Sequence, residues 1–473
     1  MMQTQCIPNL FGFQDLGTRK VVAGFDGGMI SSDAGGLLLR EVAIATDLLR
    51  QFSTCFYDYR NQRFVEHSVR ELVSQKVIGL CLGYEDVVDH DLLRFDPLFA
   101  TLCGKEDPSG ESRIHARDKG KACAGKSTLN RLETCEGFLQ TDGDKKIVAD
   151  TARIERFFVK AFLNNHPGRP KRIVLDLDVT DNELHGKQEG RFFHGYYDCY
   201  CYLPLYIYCG DDLLCAQLRT ADVDVAQGVT ALLDRIVGLI RNRWPHVEII
   251  IRADSSFCRE ELMSWCEEHG LLYVIGLQRN TRLVERIKKH LHRSCAEHLR
   301  TGLPARRYLS FYYRTRWSWS KSRRVIAKAE YTEGKENPRF LVTNLPRKPR
   351  YSAQQLYEEL YCPRGEMENR IKEQQLYLFA DRSSCMKMKA NQLRLWFSAL
   401  AYILMNELRR RALRGTELAQ ATCQTIRLKL FKIGALVRVS VRRVAVSLSS
   451  GYPYRQLFMA AYRALRSSHP LLC

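Results

Sequence analysis

The chain has 473 residues, enough for two or three domains with substantial cores. Hydrophobic residues make up 45% and charged residues 26%, with no low-complexity tract or internal repeat, which excludes fibrous, repeat and disordered architectures. Seventy-two Lys and Arg against 53 Asp and Glu leave a net charge of +19, an excess that suits a polyanionic partner, of which nucleic acid is the commonest.

Residues 1 to about 165 read as a mainly helical N-terminal region. "SDAGGLLLREVAIATDLLRQF" (32–52) and "SVRELVSQKVIGLCLG" (68–83) carry apolar residues at three- and four-residue spacing. The opening "MMQTQCIPNLFGFQDLG" lacks the basic-then-apolar layout of a secretory signal. The seventeen cysteines include no C-x-x-C pair, and "CYC" (199–201) is too tightly spaced for a usual zinc site. Reduced, mostly buried thiols and a soluble cytoplasmic protein are the expectation, with no membrane partner.

"GKACAGKST" (120–128) fits the phosphate-loop pattern G-x-x-x-x-G-K-[ST], with Lys126 and Ser127 in place. That pattern works where a buried strand delivers the loop, and "RIHARDK" upstream is no such strand. Ser127 or Thr128 is expected to cap the helix "LNRLETCEGFLQ" instead.

From residue 172 the pattern changes. "RIVLDLDVT" (172–180), "LPLYIYC" (203–209) and "LLCAQLRT" (213–220) read as strands, and "VAQGVTALLDRIVGLIRNRW" (225–244) as an amphipathic helix. The strand "VEIIIRAD" (247–254), the helix "REELMSWCEEHG" (259–270) and the strand "LLYVIGL" (271–277) follow. Three strands, helix, strand, helix, strand is the ribonuclease-H-like layout, an α/β mixed sheet with flanking helices. Residues 281–350 read as a basic, strand-rich insertion. Residues 351–415 read as the remainder of the sheet domain, with helices 357–379 and 391–413, and 416–473 as a basic C-terminal region.

Period-two alternation sets Asp176 and Asp178 on one face of their strand. Two acids on a central strand demand a balancing positive charge, most often a metal ion. Asp254 ends the strand "EIIIRAD", at the edge where open α/β sheets hold ligands. On the helix 361–379, Tyr361, Arg364, Glu368, Lys372 and Gln375 share one face. Two Asp and one Glu on such a sheet describe a two-metal phosphodiester site. Either Asp176 or Asp178 serves as the first acid.

These features resemble bacterial insertion-sequence transposases of the DDE type, in the branch with a β insertion between the second Asp and the Glu and a Y-x2-R-x3-E-x6-K signature. "YCPRGEMENRIKEQQ" supplies Tyr361, Arg364 and Glu368 at that spacing, whereas Gln375 stands where the signature has Lys, with Lys372 one turn earlier. "LDLDVTDNELHGKQEG" (175–190) and "IRADSSFCREEL" (251–262) are similar to the two Asp blocks, and the likeness extends to "FDGGMISSDAGGLLLREV" and "LFKIGALVRVSVRRV".

The family's D-x-T setting favours Asp178, with Asp176 as the alternative. The resemblance implies Asp178, Asp254 and Glu368 as catalytic metal ligands for two Mg²⁺ ions, with Mn²⁺ able to substitute. It further implies binding of double-stranded DNA at terminal inverted repeats and at a target, cut-and-paste strand cleavage and 3′-hydroxyl transfer. A homodimer in the synaptic complex, associated with the bacterial nucleoid, would carry this out. The alternatives are an inactive DNA-binding relative and a ribonuclease-H-like DNA nuclease. Tyr361, Arg364, Lys372 and Lys187 are expected DNA contacts. Trp317 and Trp319, alternating with serines beside Arg323 and Arg324, are candidates to stack a displaced base.

Overall fold

A computed structural model describes residues 10–134 and 146–468. The chain forms two compact units: one comprises Met1–Leu132, Asp144–Ile147 and Leu404–Cys473, the other Glu133–Gly143 and Val148–Ile403. This grouping differs from the linear series of segments expected above, because the C-terminal region folds together with the N-terminal one. The helix Thr151–Asn165 groups with the sheet rather than with the N-terminal helices.

In the first unit, Ser68 and Glu71 form a reciprocal capping box that starts the helix Val69–Leu82. The short strand Ile30–Ser31 pairs with Ala435–Ser440, which pairs in turn with Arg443–Leu448. Buried Asp33 accepts hydrogen bonds from the Tyr84 hydroxyl and from Lys432 Nζ, each at 2.6 Å. A Cβ at Gly35 would collide with the Leu430 carbonyl oxygen, so only glycine lets the two segments close. The "DAGG" and "FKIG" stretches therefore face one another across a tight backbone contact.

The phosphate-loop match finds no phosphate cradle. A single 3₁₀ turn, Ala116–Asp118, precedes it, and the helix Lys126–Glu133 begins earlier than expected. Its first turn is satisfied by the Asp91 carboxylate, which accepts from Lys126 N at 2.9 Å, and not by Ser127 or Thr128. A carboxylate already fills the place an anion would take. Residues 135–140 of the expected helix lie outside the described residues.

The second unit is built on a sheet of nine strands. Its path runs Asp212–Gln217, Leu205–Cys209, Arg172–Val179, Glu248–Ala253, Leu272–Leu277, Arg339–Thr343, Arg323–Thr332 and Ala305–Tyr313, with Lys335–Glu336 added to Arg323–Thr332. Leu205–Cys209 runs antiparallel to Arg172–Val179, which is parallel to Glu248–Ala253; that strand is parallel to Leu272–Leu277. The remaining pairs are antiparallel. The central strands are β-branched because both faces are covered: Ile249, Ile251 and Ala253 enter one core and Ile250 the other. Ile173, Leu175 and Leu177 share the first core, so Asp176 and Asp178 point to the opposite face.

Residues 281–350 are not strand-rich from the start. Thr281–Thr301 is a 21-residue amphipathic helix, capped by Asn280 Oδ1 accepting from Leu283 N and stopped at Gly302 with φ +70°. The strands after it form no separate layer. Arg339–Thr343 pairs with Leu272–Leu277 and prolongs the same sheet, which covers an edge that would otherwise stand unpaired. Among the described residues no helix is long and apolar enough to cross a membrane. None of the fourteen described cysteines is in a disulfide.

Candidate functional site

The site is dictated by strand register. Arg172–Val179 and Glu248–Ala253 run parallel with Asp176 beside Arg252 and Leu177 beside Ala253. Continued by one residue, that register sets Asp178 beside Asp254. The next strand pairs Ile275 with Ala253 and so brings Gly276 alongside Asp254. A salt bridge and a row of like charges thus lie two residues apart on one face.

Asp176 is saturated. Arg252 donates through Nη2 to Oδ2 at 2.7 Å and through Nε to Oδ1, and its Nη1 reaches the Leu360 carbonyl at 2.6 Å. Both side chains are buried. Asp178 instead faces Asp254 across the strands. Burial pushes its carboxyl up to about 6, with Asp254 and Glu368 adding to the rise and Arg364 opposing it. Asp254 Oδ1 accepts from Ser256 N at 2.9 Å and from the Ser256 hydroxyl, which holds the turn Ser255–Phe257.

The third acid comes from the helix Gly365–Leu378. The segment before it is not regular α-helix as expected: Leu356–Tyr361 is a π-helical turn, and Cys362–Arg364, with Pro363, is a 3₁₀ turn. This change of pitch aims Arg364 inward. Its Nη1 donates to Asp178 Oδ2 at 2.8 Å and its Nη2 to Glu368 Oε1 at 3.0 Å. One guanidinium thus joins acids from a strand and a helix 186 and 4 residues away in sequence. Glu368 remains about half exposed, at 47%. Tyr361 lies over Gly276, where a Cβ would come within 2.8 Å of the tyrosine hydroxyl and 2.7 Å of Ser255 N. Gly276 is needed for that close approach rather than for its backbone angles.

Gln375 explains its own departure from the signature. Its amide nitrogen donates to the Asp181 carbonyl at 3.0 Å and to Asn182 Oδ1 at 3.1 Å. Asn182 Nδ2 donates to the Ala380 carbonyl, Gln188 Nε2 to the Ser383 carbonyl, and the Tyr208 hydroxyl to Gln374 Oε1 at 2.9 Å. The acid-bearing helix is thereby tied to the chain just beyond Asp178. Lys372 is exposed one turn away, and Lys187 is exposed on the hairpin that follows.

The two tryptophans part company. Trp317 is 94% exposed, whereas Trp319 is 4% exposed and packs edge-on to Tyr313. Arg323 is buried against Glu260 and Glu267, and Arg324 donates to the Leu345, Pro346 and Tyr351 carbonyls. In this structure Trp319, Arg323 and Arg324 serve the sheet's interior, which differs from their expected place at a DNA surface. Both tryptophans lie in the connection between Ala305–Tyr313 and Arg323–Thr332, where Tyr313 draws Trp319 inward, and the two arginines are held by buried acids and carbonyls. Of that group Trp317 alone is open to a ligand.

Three carboxylates are hard oxygen donors of the kind that suit Mg²⁺. Arg364 stands in for a cation between two of them, so the charge arrangement fits one. Among the described residues no three His, Cys, Asp or Glu side chains converge closely enough to hold a metal. Sequence reasoning missed Arg252, Gly276 and Tyr197. The last follows the first-acid strand, and burial followed by the charges of Asp181 and Asp178 pushes its hydroxyl up.

Residues 13–470 match the family described as Transposase DDE domain, group 1. No curated protein matches the chain. Among solved structures it is similar to the piggyBac transposase in a synaptic complex with hairpin DNA, at 10% identity, covering 93% of this chain and 83% of that one with a TM-score of 0.39. Because the family match spans nearly the whole sequence, the chain belongs to the DDE transposase domain family, group 1.

Proposed function

We propose that this chain is a transposase that cleaves DNA at the ends of its own element and joins the freed 3′-hydroxyl to a target, with Asp178, Asp254 and Glu368 as its catalytic acids. The observation that carries the reading is the shared guanidinium. Arg364 holds Asp178 and Glu368 together beside Asp254, on the face where two like charges already lie side by side. The strand order, three antiparallel strands followed by two parallel to the first, supports a ribonuclease-H-like core. Asp176, locked by Arg252, is a structural partner, which favours Asp178 as the first acid.

Two Mg²⁺ ions, replaceable by Mn²⁺, would be held by these three acids and would activate the attacking hydroxyl and stabilise the leaving oxygen. The chain's own residues bind and orient. Arg364, released from the acids, would turn its two donors to a phosphate next to the cut. Tyr361 is braced against Gly276 to hold the DNA strand over the acids. Lys372 and Lys187 would fix backbone position without reading sequence. Trp317 offers an open ring to a displaced base. A homodimer would pair the two element ends, each with its inverted repeat, in the bacterial cytoplasm.

Purified protein, Mg²⁺ and DNA carrying the element ends test this. Asp254→Asn is expected to keep DNA binding and lose cleavage by more than about 100-fold, since several kcal/mol of charge stabilisation disappear. Unchanged cleavage in that variant would sink the proposal. Failure to join a pre-cut end would leave a nuclease.

A further inference from the structure

The helix Thr281–Thr301 carries six Lys and Arg against two Glu. Five of the six fall on one side. Arg282, Arg286, Lys289, Arg293 and Arg300, at steps of four, three, four and seven residues, lie within about 60° of one another around the axis. All five are exposed, and their line runs for about 27 Å along the helix. The opposite side is fixed to the sheet: Leu283, Ile287 and Leu291 are buried in its core, and Ser294 Oγ donates to the Ala329 carbonyl at 3.0 Å. The Arg286 and Arg282 guanidinium groups lie 4.8 and 5.1 Å from the centres of the Phe311 and Tyr313 rings.

The acids around this line are paired or face away from it. Glu285 is bridged by Lys288 at 3.3 Å and Glu297 by Arg307 at 2.7 Å. Glu330, on the strand beneath, is held by Arg306 and Lys328. Tyr331, which leads into the turn with Glu333 and Glu336, packs on His298, on the side of the helix turned away from the five cations. Among the described residues none of the five has a carboxylate partner. Burial and the charges of Arg293 and Arg307 hold the neighbouring His290 ring below its ordinary value.

Charge and shape identify the occupant. The line includes no apolar side chain larger than Ala296, whereas a protein partner needs an apolar centre to its interface. A lipid surface would need the helix's apolar side, which the sheet already covers. Unpaired bases need open rings, and the two rings here lie under guanidinium groups. A straight row of cations, about one per helical turn, matches the stiff and evenly charged backbone of duplex DNA.

We propose that Arg282, Arg286, Lys289, Arg293 and Arg300 form a sequence-independent docking surface for the phosphate backbone of duplex DNA away from the cut. The helix begins at the sheet edge that bears Asp254, because it follows the strand whose Gly276 lies alongside that acid. It packs into the core behind the face of Asp176 and Asp178. The row therefore holds uncut duplex at the back of the sheet, not the strand at the acids. The proposal rests on the reading of the chain as a DNA-cleaving enzyme and adds to it a second place of contact.

The full-length protein, in EDTA so that no cleavage occurs, is titrated with a fluorescent mixed-sequence duplex at about 50 to 200 mM KCl. Each lost phosphate contact flattens the plot of log affinity against log salt by about 0.9. Lys289→Gln with Arg293→Gln and Arg300→Gln should therefore flatten it by about 2–3 and weaken binding by about 10-fold or more at the lower salt. Arg293→Lys with Arg300→Lys should keep the native slope. Replacing Arg235, Arg241 and Arg243 by Gln, an equal loss of charge on the helix Val229–Arg243, should change the slope by less than about 1. An unchanged slope in the first variant, a flattened one in the Lys variant, or an equal loss in the Val229–Arg243 variant overturns the docking surface and leaves the enzyme reading standing. Poly-glutamate that displaces the duplex as well as unlabelled duplex does overturns the choice of DNA. A native chain that does not bind the duplex overturns both readings, and cleavage by Asp254→Asn protein, measured separately, bears on the enzyme reading alone.

Discussion

Two adjacent rows of the same parallel strand pair carry opposite electrostatic solutions. In one, Asp176 sits beside Arg252, and the charges cancel within the sheet. In the other, two residues on, Asp178 falls beside Asp254, and like charges directly opposite are destabilising. The first row is a closed structural pair. The second is left short of positive charge and borrows it from Arg364 on another element. A two-residue step along a strand therefore separates an acid that holds the fold from one available for chemistry. Sequence alternation places both on the same face and cannot tell them apart.

Breaking the closed row should have the largest effect on the fold. Arg252→Ala leaves Asp176 buried without its partner and should cost about 3–5 kcal/mol in chemical denaturation, with DNA cleavage falling only as folded protein is lost. A loss below about 1 kcal/mol would mean that the pair is not a structural lock.

Gly276→Ala tests the open row from its far side. The added methyl would press on Ser255 N and the Tyr361 hydroxyl, so a loss of about 1–3 kcal/mol is expected. Cleavage per folded molecule should fall as well, since the turn that carries Asp254 must shift. Wild-type cleavage with reduced stability would place Tyr361 outside the reaction.

The raised Asp178 carboxyl gives the open row a pH signature. Its folded-state value, near 6, lies above its unfolded one, so its stabilising contribution is complete below about pH 4 and lost as pH rises through about 6. Native stability minus that of Asp178→Asn should therefore fall by about 1–2 kcal/mol between pH 4 and 6.5 and be flat above. Thermal unfolding across that window measures it; a difference independent of pH would remove burial as the governing influence.

The last expected effect sharpens the contrast most. Arg364→Gln should lower stability by about 1–2 kcal/mol. The half-exposed Glu368 contact is screened, while buried Asp178 loses its cation and, with its carboxyl already raised to about 6, can shed the charge by protonation. It should nevertheless raise Mn²⁺ affinity in the absence of DNA by about 10-fold, since a resident positive charge leaves the acids. Calorimetric titration reads both. Unchanged Mn²⁺ affinity would show that the guanidinium does not compete for that place.

Much of this was legible before any fold was seen. The alternation in "IVLDLDVT", the β-branched run in "EIIIRAD" and the spacing of Tyr361, Arg364 and Glu368 depend on local periodicity, which a sequence displays directly. The helix Thr281–Thr301 had its signals too: Asn280 as cap, Leu283, Ile287 and Leu291 on one face, and Gly302 as stop. The surrounding basic strands hid them. What no local pattern contains is register between distant strands. Only tertiary structure set Arg252 beside Asp176, Asp254 beside Asp178 and Gly276 beneath Tyr361. It also decided which of Trp317 and Trp319 faces inward and turned Gln375 into an anchor. Periodicity fixes the face on which a side chain lies; its neighbour across the sheet is set by hydrogen bonding between segments tens to hundreds of residues apart, so only the folded chain assigned each acid its partner.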